Sequence, residues 1–501
     1  MASITLGAGA GSIGIEDVVA VGRRDASVDL APALRARIAA ERAMVERLAG
    51  GETPIYGLNT ALGAAVDTRL PPEEIAAFQS RALRARSVGV GPPMPRDAVR
   101  AMMFARLAGM AAGGSGISPA VLDGLLALLN SGATPIVPSI GSIGAADLAL
   151  LAPVALALIG EGQVEHRGAR GQAGEVLASM GLAPVPLGPK DALAIINSNA
   201  GSVGLGALAL SDARTVLDAL DAAAALSLEG FRGNLSPLDP RAAEARPAPG
   251  QAEVATRLRA LLDGSELWRA GAARRVQDPL CYRCLAPVHG AAISALYRTQ
   301  RTIEIELRGS GDNPLVLADG TMISTANFDL TALSLAFEAL GLALAHAARM
   351  SGERVLKLLD PGFSGLPRFL TPIGPTRSGF AAVQKTVAAL ESQIRHLALP
   401  ASLGVMTAAN GVEDHASMAP HVVAKTAEIM QRFTRLAAVE LMVAAQAVDL
   451  RSAPLGAPLR KIHQAVRARV NKLEDDRALG PDIEAIARLI EEGTLARPPS
   501  P

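Results

Sequence analysis

The sequence predicts an all-α protein built around long, largely apolar helices, and three observations carry that expectation. Of 501 residues, 50% are hydrophobic but only 3% aromatic, so the apolar content is mostly Ala, Leu, Val and Gly, which suits helices packed closely through small side chains. Apolar residues recur at three- and four-residue spacing along much of the chain. Three tracts, 203–228, 330–359 and 422–450, are apolar over most of their circumference. They exceed the usual helix length and need cover on nearly all sides, so a bundle core or an oligomer seam should contain them.

Taken in order, 15–23, 30–48 and 97–112 read as amphipathic surface helices with Arg and Glu on the outer face. The stretch 148–159 is the most membrane-like, but Pro153 interrupts it and it is shorter than the ~20 residues of a bilayer span, so it reads as a buried core helix. Loops rich in Gly, Pro and Asn occupy 51–63, 132–144, 230–250, 309–320 and 400–411. Loops held by a rigid helical scaffold are where chemistry usually sits. No linker separates folded halves and no repeat has a solenoid period. The chain therefore divides into a loop-and-helix region over 1–200 carrying the active-site loops, a long-helix region over 201–458, and a helical tail over 459–501 whose last residues, 497–501, read as disordered.

Charge and cysteine usage narrow the function classes. With 48 basic and 48 acidic residues the net charge is zero, which leaves no global field to hold a phosphate backbone, and no basic patch compensates. Two cysteines cannot make a disulfide framework, and no basic-apolar-small leader opens the chain, so a reducing cytosol is the expected compartment. The expected partners are a small molecule and further copies of the chain, with neither nucleic acid nor membrane.

Several motifs have plain readings. Gly7 to Gly11 has no preceding strand and no following Lys-Ser/Thr, so it is a lead into a helix rather than a phosphate loop. Cys281 and Cys284 have CxxC spacing without a second pair, which favours buried helical thiols over zinc. His289, His396, His415 and His421 form no ligand pattern, and no metal is assigned. Tyr56-Gly57-Leu58-Asn59-Thr60 places a tyrosine in a polar loop of a chain with only three; a structural and a catalytic tyrosine both fit. Gln277-Asp278-Pro279 followed by Arg283 gathers an amide, a carboxylate and a guanidinium. Arg283 is suited to a substrate carboxylate or to an internal salt bridge.

These segments occur together with Gly141-Ser142-Ile143-Gly144, Gly160-Glu161-Gly162, the run from Ser227 to Asn234, Asp312-Asn313-Pro314, Leu358-Leu359-Asp360-Pro361 and Glu413-Asp414-His415. In this order and spacing the chain resembles the aromatic amino acid ammonia-lyases and aminomutases, from about residue 15 to 446. The resemblance implies a central bundle of long helices, a homotetramer, and active sites built by loops from several subunits. It also implies elimination of ammonia from an α-amino acid by a methylidene-imidazolone electrophile made from an Ala-Ser-Gly tripeptide. Carried over residue by residue, Tyr56 matches the base that takes the β-proton, Arg283 the carboxylate anchor, and Asn197 the asparagine that supports the electrophile. The substrate-contact positions are Arg86, Asn59, Gln277, Phe328, Gln393 and Glu413.

The resemblance breaks at its cofactor. Where the family reads Gly-Ser-Val-Gly-Ala-Ser-Gly-Asp-Leu, this chain reads Gly141-Ser142-Ile143-Gly144-Ala145-Ala146-Asp147-Leu148. Ala145, Ala146 and Asp147 thus form a degenerate cofactor loop, lacking the serine whose dehydration creates the methylidene and the glycine whose nitrogen closes the ring. No cofactor is expected. Leu280 stands at a family tyrosine, Gln393 at a family glutamate, and Arg86 at a position that often carries a ring-selecting His or Phe. Arg86 points to a substrate with an anionic or strongly polar group, or else to an ion pair within the protein. A β-proton beside an unactivated carbon is very weakly acidic and an amine is a poor leaving group, so without the electrophile the substrate must acidify its own proton or carry a better leaving group. The first reading is a lyase-family enzyme on a small carboxylated substrate, by elimination, addition, isomerisation or cyclisation. A conventional aromatic or histidine ammonia-lyase and a non-catalytic binding subunit are the alternatives.

Overall fold

The structure is a computed structural model that describes residues 3–7, 13–404, 406–452 and 454–495. Residues 8–11 of the glycine-rich segment and the 497–501 tail lie outside the described residues. The fold is all-α, with helices separated by short two- and three-stranded pairings. Two compact units divide the chain, each gathered from three stretches. Met1–Ser211, Gln300–Ala336 and Pro400–Ala424 form the first, and Asp212–Thr299, Phe337–Leu399 and Lys425–Pro501 the second.

In the first unit the helices expected at the surface are Ile15–Arg24, Pro32–Ala49 and Arg96–Ala112, but the last is a core helix, buried from Ala98 through Met110, its Arg100 and Arg106 taking buried carbonyl and carboxylate partners. The second begins later than its periodicity suggests. Leu30 closes a strand, Ser27–Leu30, paired in parallel with Ser3–Leu6, and Pro32 opens the helix at a position where a missing N–H is harmless. Pro153 does not end its helix, which runs Leu148–Leu158 and is buried over nearly its whole length. The ring removes one backbone bond, and burial of the flanking Leu and Ala side chains, about 1.5–3 kcal/mol for each Leu, offsets the loss. The start of the helix Ala200–Phe231 presses against Arg96–Ala112 at Gly204, where a Cβ would stand 2.6 Å from backbone atoms of Ala101 and Met102. Only a glycine permits that approach.

Inside the second unit, small side chains set the packing. Ala222 to Leu226 and most residues from Leu436 to Ala447 are fully buried, and a Cβ on Gly230 would sit 2.7 Å from that of Ala447. Arg354 and Glu440, both without exposure, form a bidentate pair at 2.6 and 2.7 Å. Phe231 stacks on Tyr282 with centroids 4.2 Å apart. The predicted apolar tracts are the helices Ala200–Phe231, Thr331–Leu359 and Ala419–Arg451. A fourth long helix, Leu285–Arg308, carries no such tract in the sequence because one of its faces is polar. Cys281 and Cys284 are free thiols, the first buried in the short helix Leu280–Arg283.

Candidate active site

The loops of the first unit enclose a cavity of about 1150 Å³. Among its lining residues are Tyr56, Arg86, Ala145, Asn197, Phe328 and Glu413. Sequence reading had placed these six at the site.

Tyr56 projects from a loop that its neighbours pin. Gly57 has φ +67° and a Cβ there would lie 2.3 Å from a Leu193 methyl, so the turn requires glycine. Its N–H donates to Thr60 Oγ1 at 3.3 Å. Asn59, expected to touch substrate, instead clamps this loop: Oδ1 accepts from Ile55 N–H at 2.7 Å, and Nδ2 donates to the Gly51 and Thr53 carbonyls. A buried amide satisfies its donors and acceptor locally where backbone groups need partners.

Asn197 caps the short helix Asp191–Ile196 and donates through Nδ2 to the Asn313 carbonyl at 2.7 Å. Behind it, Arg106 ties the helix to the Asp312-Asn313-Pro314 turn. Its guanidinium reaches both Asp312 oxygens, at 2.9 and 3.3 Å, and donates to the Ala194 carbonyl at 3.0 Å. Both partners are 1% exposed, a geometry in which the pair is well matched and removal of one member is costly.

The Ala145-Ala146-Asp147 turn is fixed from several sides. Ala145 bridges to Asp329 and faces the cavity, and Ala146 has φ +61°. Asp147 is fully buried. It accepts from Ser142 Oγ at 3.0 Å and from Ser202 N–H at 2.7 Å, while its own N–H donates to the Ser198 carbonyl at 2.7 Å. Burial pushes the Asp147 carboxyl above its ordinary value, and the Ser202 and Ser142 donors work against that rise.

Arg86 ends the helix Ile75–Arg86. Its one hydrogen bond runs back to the Ala82 carbonyl at 3.2 Å, and no ion pair holds it among the described residues. Burial lowers its pKa, with Tyr56 and Glu413 close enough to counter this; a guanidinium nonetheless stays charged. Sequence reading missed Glu306, Asp329 and His415, which also line the cavity. Asp329 contacts His415 Nε2 at 3.3 Å. Burial, with Asp329 adding to it, pushes Glu306 up to about 7. No sequence signal separated Glu306 from the polar face of its helix.

The remaining expected site residues lie in the second unit and do not line this cavity. Arg283 donates to Gln277 Oε1 at 2.7 Å, and Gln393 accepts from Arg432 Nε at 2.8 Å. Leu280 is exposed.

Lys190, at φ +68° before the Asp191–Ile196 helix, is 1% exposed and donates to the Ser115 carbonyl. Burial pushes its ammonium down to about 8, against the attraction of Asp312, with Arg106 adding to the fall and Asp191 and Glu41 opposing it. Because the unfolded lysine titrates near 10.5, the unfolded chain holds the extra proton between these values. The resulting penalty is full below pH 8 and relieved as pH rises toward 10.5, at about 1.4 kcal/mol per unit. Lys190→Met should therefore improve its stability relative to wild type more at pH 8 than at pH 10. Urea midpoints at the two values check this; an equal difference at both would refute it.

Comparison with known proteins places the site in context. The signature of the family described as aromatic amino acid lyase matches residues 13–468. A histidine ammonia-lyase of Anaeromyxobacter dehalogenans is 41% identical, over 96% of this chain and 97% of its own. Among solved structures, the ergothioneine-degrading enzyme ergothionase from Treponema denticola, in complex with desmethyl-ergothioneine sulfonic acid, is similar with a TM-score of 0.94 and 31% identity, over 99% of both chains. Histidine ammonia-lyase from Trypanosoma cruzi is similar with a TM-score of 0.91 and 31% identity, over 99% of this chain and 94% of that one.

Proposed function

The chain belongs to the aromatic amino acid lyase family and is a lyase, and from that premise we propose that it eliminates an amine from a small carboxylated, amino-acid-like substrate without a methylidene-imidazolone. Tyr56 takes the β-proton, the electrons of that C–H bond form the double bond, and the amine departs with the Cα–N pair. Asn197, tied to the Asn313 carbonyl, presents a fixed polar wall beside the reacting atoms.

The observation that carries the reading is the Ala145-Ala146-Asp147 turn. No hydroxyl stands there to be lost, and the nitrogen that would close a ring onto Ala145 is that of Asp147, already donating to Ser198. The residues present do not fit the group, so no step is routed through it. The burden then falls on the substrate. The ergothioneine named for the Treponema denticola neighbour is a betaine whose trimethylammonium is a better leaving group than ammonia, and this supports a substrate of that kind. The 41% identity to a histidine ammonia-lyase favours a second reading, release of ammonia from histidine by the family electrophile.

One experiment separates the two. An intact mass with mapping of the peptide over 139–151 should match the unmodified chain, and amine should be released from ergothioneine rather than from histidine. A mass short by the water lost in cyclisation, with ultraviolet-absorbing product from histidine, would overturn the proposal in favour of the second reading.

We also propose a homotetramer in which Arg283 of another copy supplies the carboxylate anchor. Among the described residues the cavity lining holds no arginine besides Arg86, and Leu342 stands 48% exposed on the helix Thr331–Leu359, which supports a covering partner. The cytosol suits two free thiols.

A further inference from the structure

We propose that Glu306 holds the cationic amine of the substrate, so that the cavity is a bipolar cradle in which Arg86 meets an anionic or strongly polar group at the substrate's far end while the carboxylate falls to Arg283 of another copy. This deepens the elimination reading and rests on the cavity being the substrate site. Glu306 lines the cavity from the last turn of the helix Leu285–Arg308, where the helix dipole disfavours a negative charge. Its helical neighbour Glu304 takes Gln300 Nε2 at 2.8 Å and Arg308 at 3.6 Å. Glu306 has no hydrogen-bond or ion-pair partner among the described residues, and the charge that acts on it is the like charge of Asp329. Stability offers no reason for a half-buried, unpaired acid at the wrong end of a helix. A cationic ligand does, since an ammonium would complete the missing pair in a partly desolvated setting.

Arg86 supplies the complementary half. It is half-buried in the same lining, with one hydrogen bond to its own helix and no carboxylate in pairing range among the described residues, which leaves its fork free for an anion. Asp329 differs from Glu306 in being engaged already, accepting from Thr331 N–H at 2.9 Å and contacting His415. The titratable groups sharing the lining are Tyr56, Arg86, Asp329, Glu413 and His415. With Glu306 pushed up to about 7 by burial, its carboxylate form, and hence its hold on a cation, grows as pH rises through that value.

The test uses the full chain and two ligand pairs: L-histidine with imidazolepropanoate, and ergothioneine with its counterpart lacking the amine. Calorimetry at pH 6 and pH 8 should show that wild type binds at least one amine-bearing member tenfold or more tightly than its amine-free partner at pH 8, with a smaller preference at pH 6. Glu306→Gln should lose both the preference and its pH dependence while binding the amine-free ligand as wild type does, which also reports that the variant is folded. Glu306→Asp should recover part of the preference. A preference that survives in Glu306→Gln overturns the assignment of Glu306 alone. Wild-type protein that binds none of the four overturns the cavity reading, and the proposal with it.

Discussion

Tyr56→Phe should lower kcat by about 10²–10⁴-fold, the usual contribution of a positioned general base, with KM changed little. The loop explains why the effect should be confined to chemistry. Gly57, Asn59 and Thr60 hold its backbone through bonds that do not involve the phenol, so phenylalanine keeps the same path and the same aromatic wall. What disappears is one oxygen facing the cavity. Loss expressed only in the transition state lowers kcat and kcat/KM together, whereas loss of uniform binding would raise KM alone. Steady-state rates on whichever of ergothioneine and histidine releases amine decide between them. Unchanged turnover would remove Tyr56 as the base and direct attention to Glu306, Asp329, Glu413 and His415, the other groups of that lining able to accept a proton.

The reach of the sequence can be judged residue by residue. Long apolar tracts marked three of the four longest described helices because a helix apolar over most of its circumference has no polar face to disguise it. Leu285–Arg308 escaped since Glu304, Arg301 and Arg298 punctuate it. The core helix expected over 148–159 is present as Leu148–Leu158 with Pro153 inside it, because the proline's local cost is set against burial that is tertiary. Short strands inside the 132–144 loop, Thr134–Pro135 and Pro138–Ile140, are too brief to leave a period of two. At the site, order and spacing of motifs located Tyr56, Asn197, Arg86 and Glu413, all of which line one cavity. Motif membership does not tell which way a side chain turns, so Asn59 was misread as a contact when it holds its own loop. Glu306 lay unseen for the opposite reason: it belongs to no motif, and its meaning comes only from lacking a partner.

The largest stability effect should come from Glu440→Ala, at about 3–5 kcal/mol, the range for breaking a buried pair by removing one partner. Glu440 accepts from Arg354 Nε and Nη2 at 2.6 and 2.7 Å and from the hydroxyls of Ser227 and Ser351 at 2.8 and 2.6 Å. Burial opposes the Arg354 charge and Glu440 more than restores it, holding the guanidinium above its ordinary value. Truncation leaves that charge in a water-free core together with two orphaned hydroxyls. The consequence reaches toward function, because Arg354 Nη1 also donates to the Cys281 carbonyl at 3.3 Å and so fixes the short helix Leu280–Arg283 that carries the proposed carboxylate anchor. Glu440→Gln keeps the shape and loses the charge, and should cost less. Arg354→Met combined with Glu440→Leu should recover much of the loss, since an apolar replacement of both members leaves no uncompensated charge and only the two hydroxyls without their acceptor. Urea unfolding of the three variants reads the order directly. A double variant no more stable than Glu440→Ala would mean that shape, rather than uncompensated charge, dominates this part of the core.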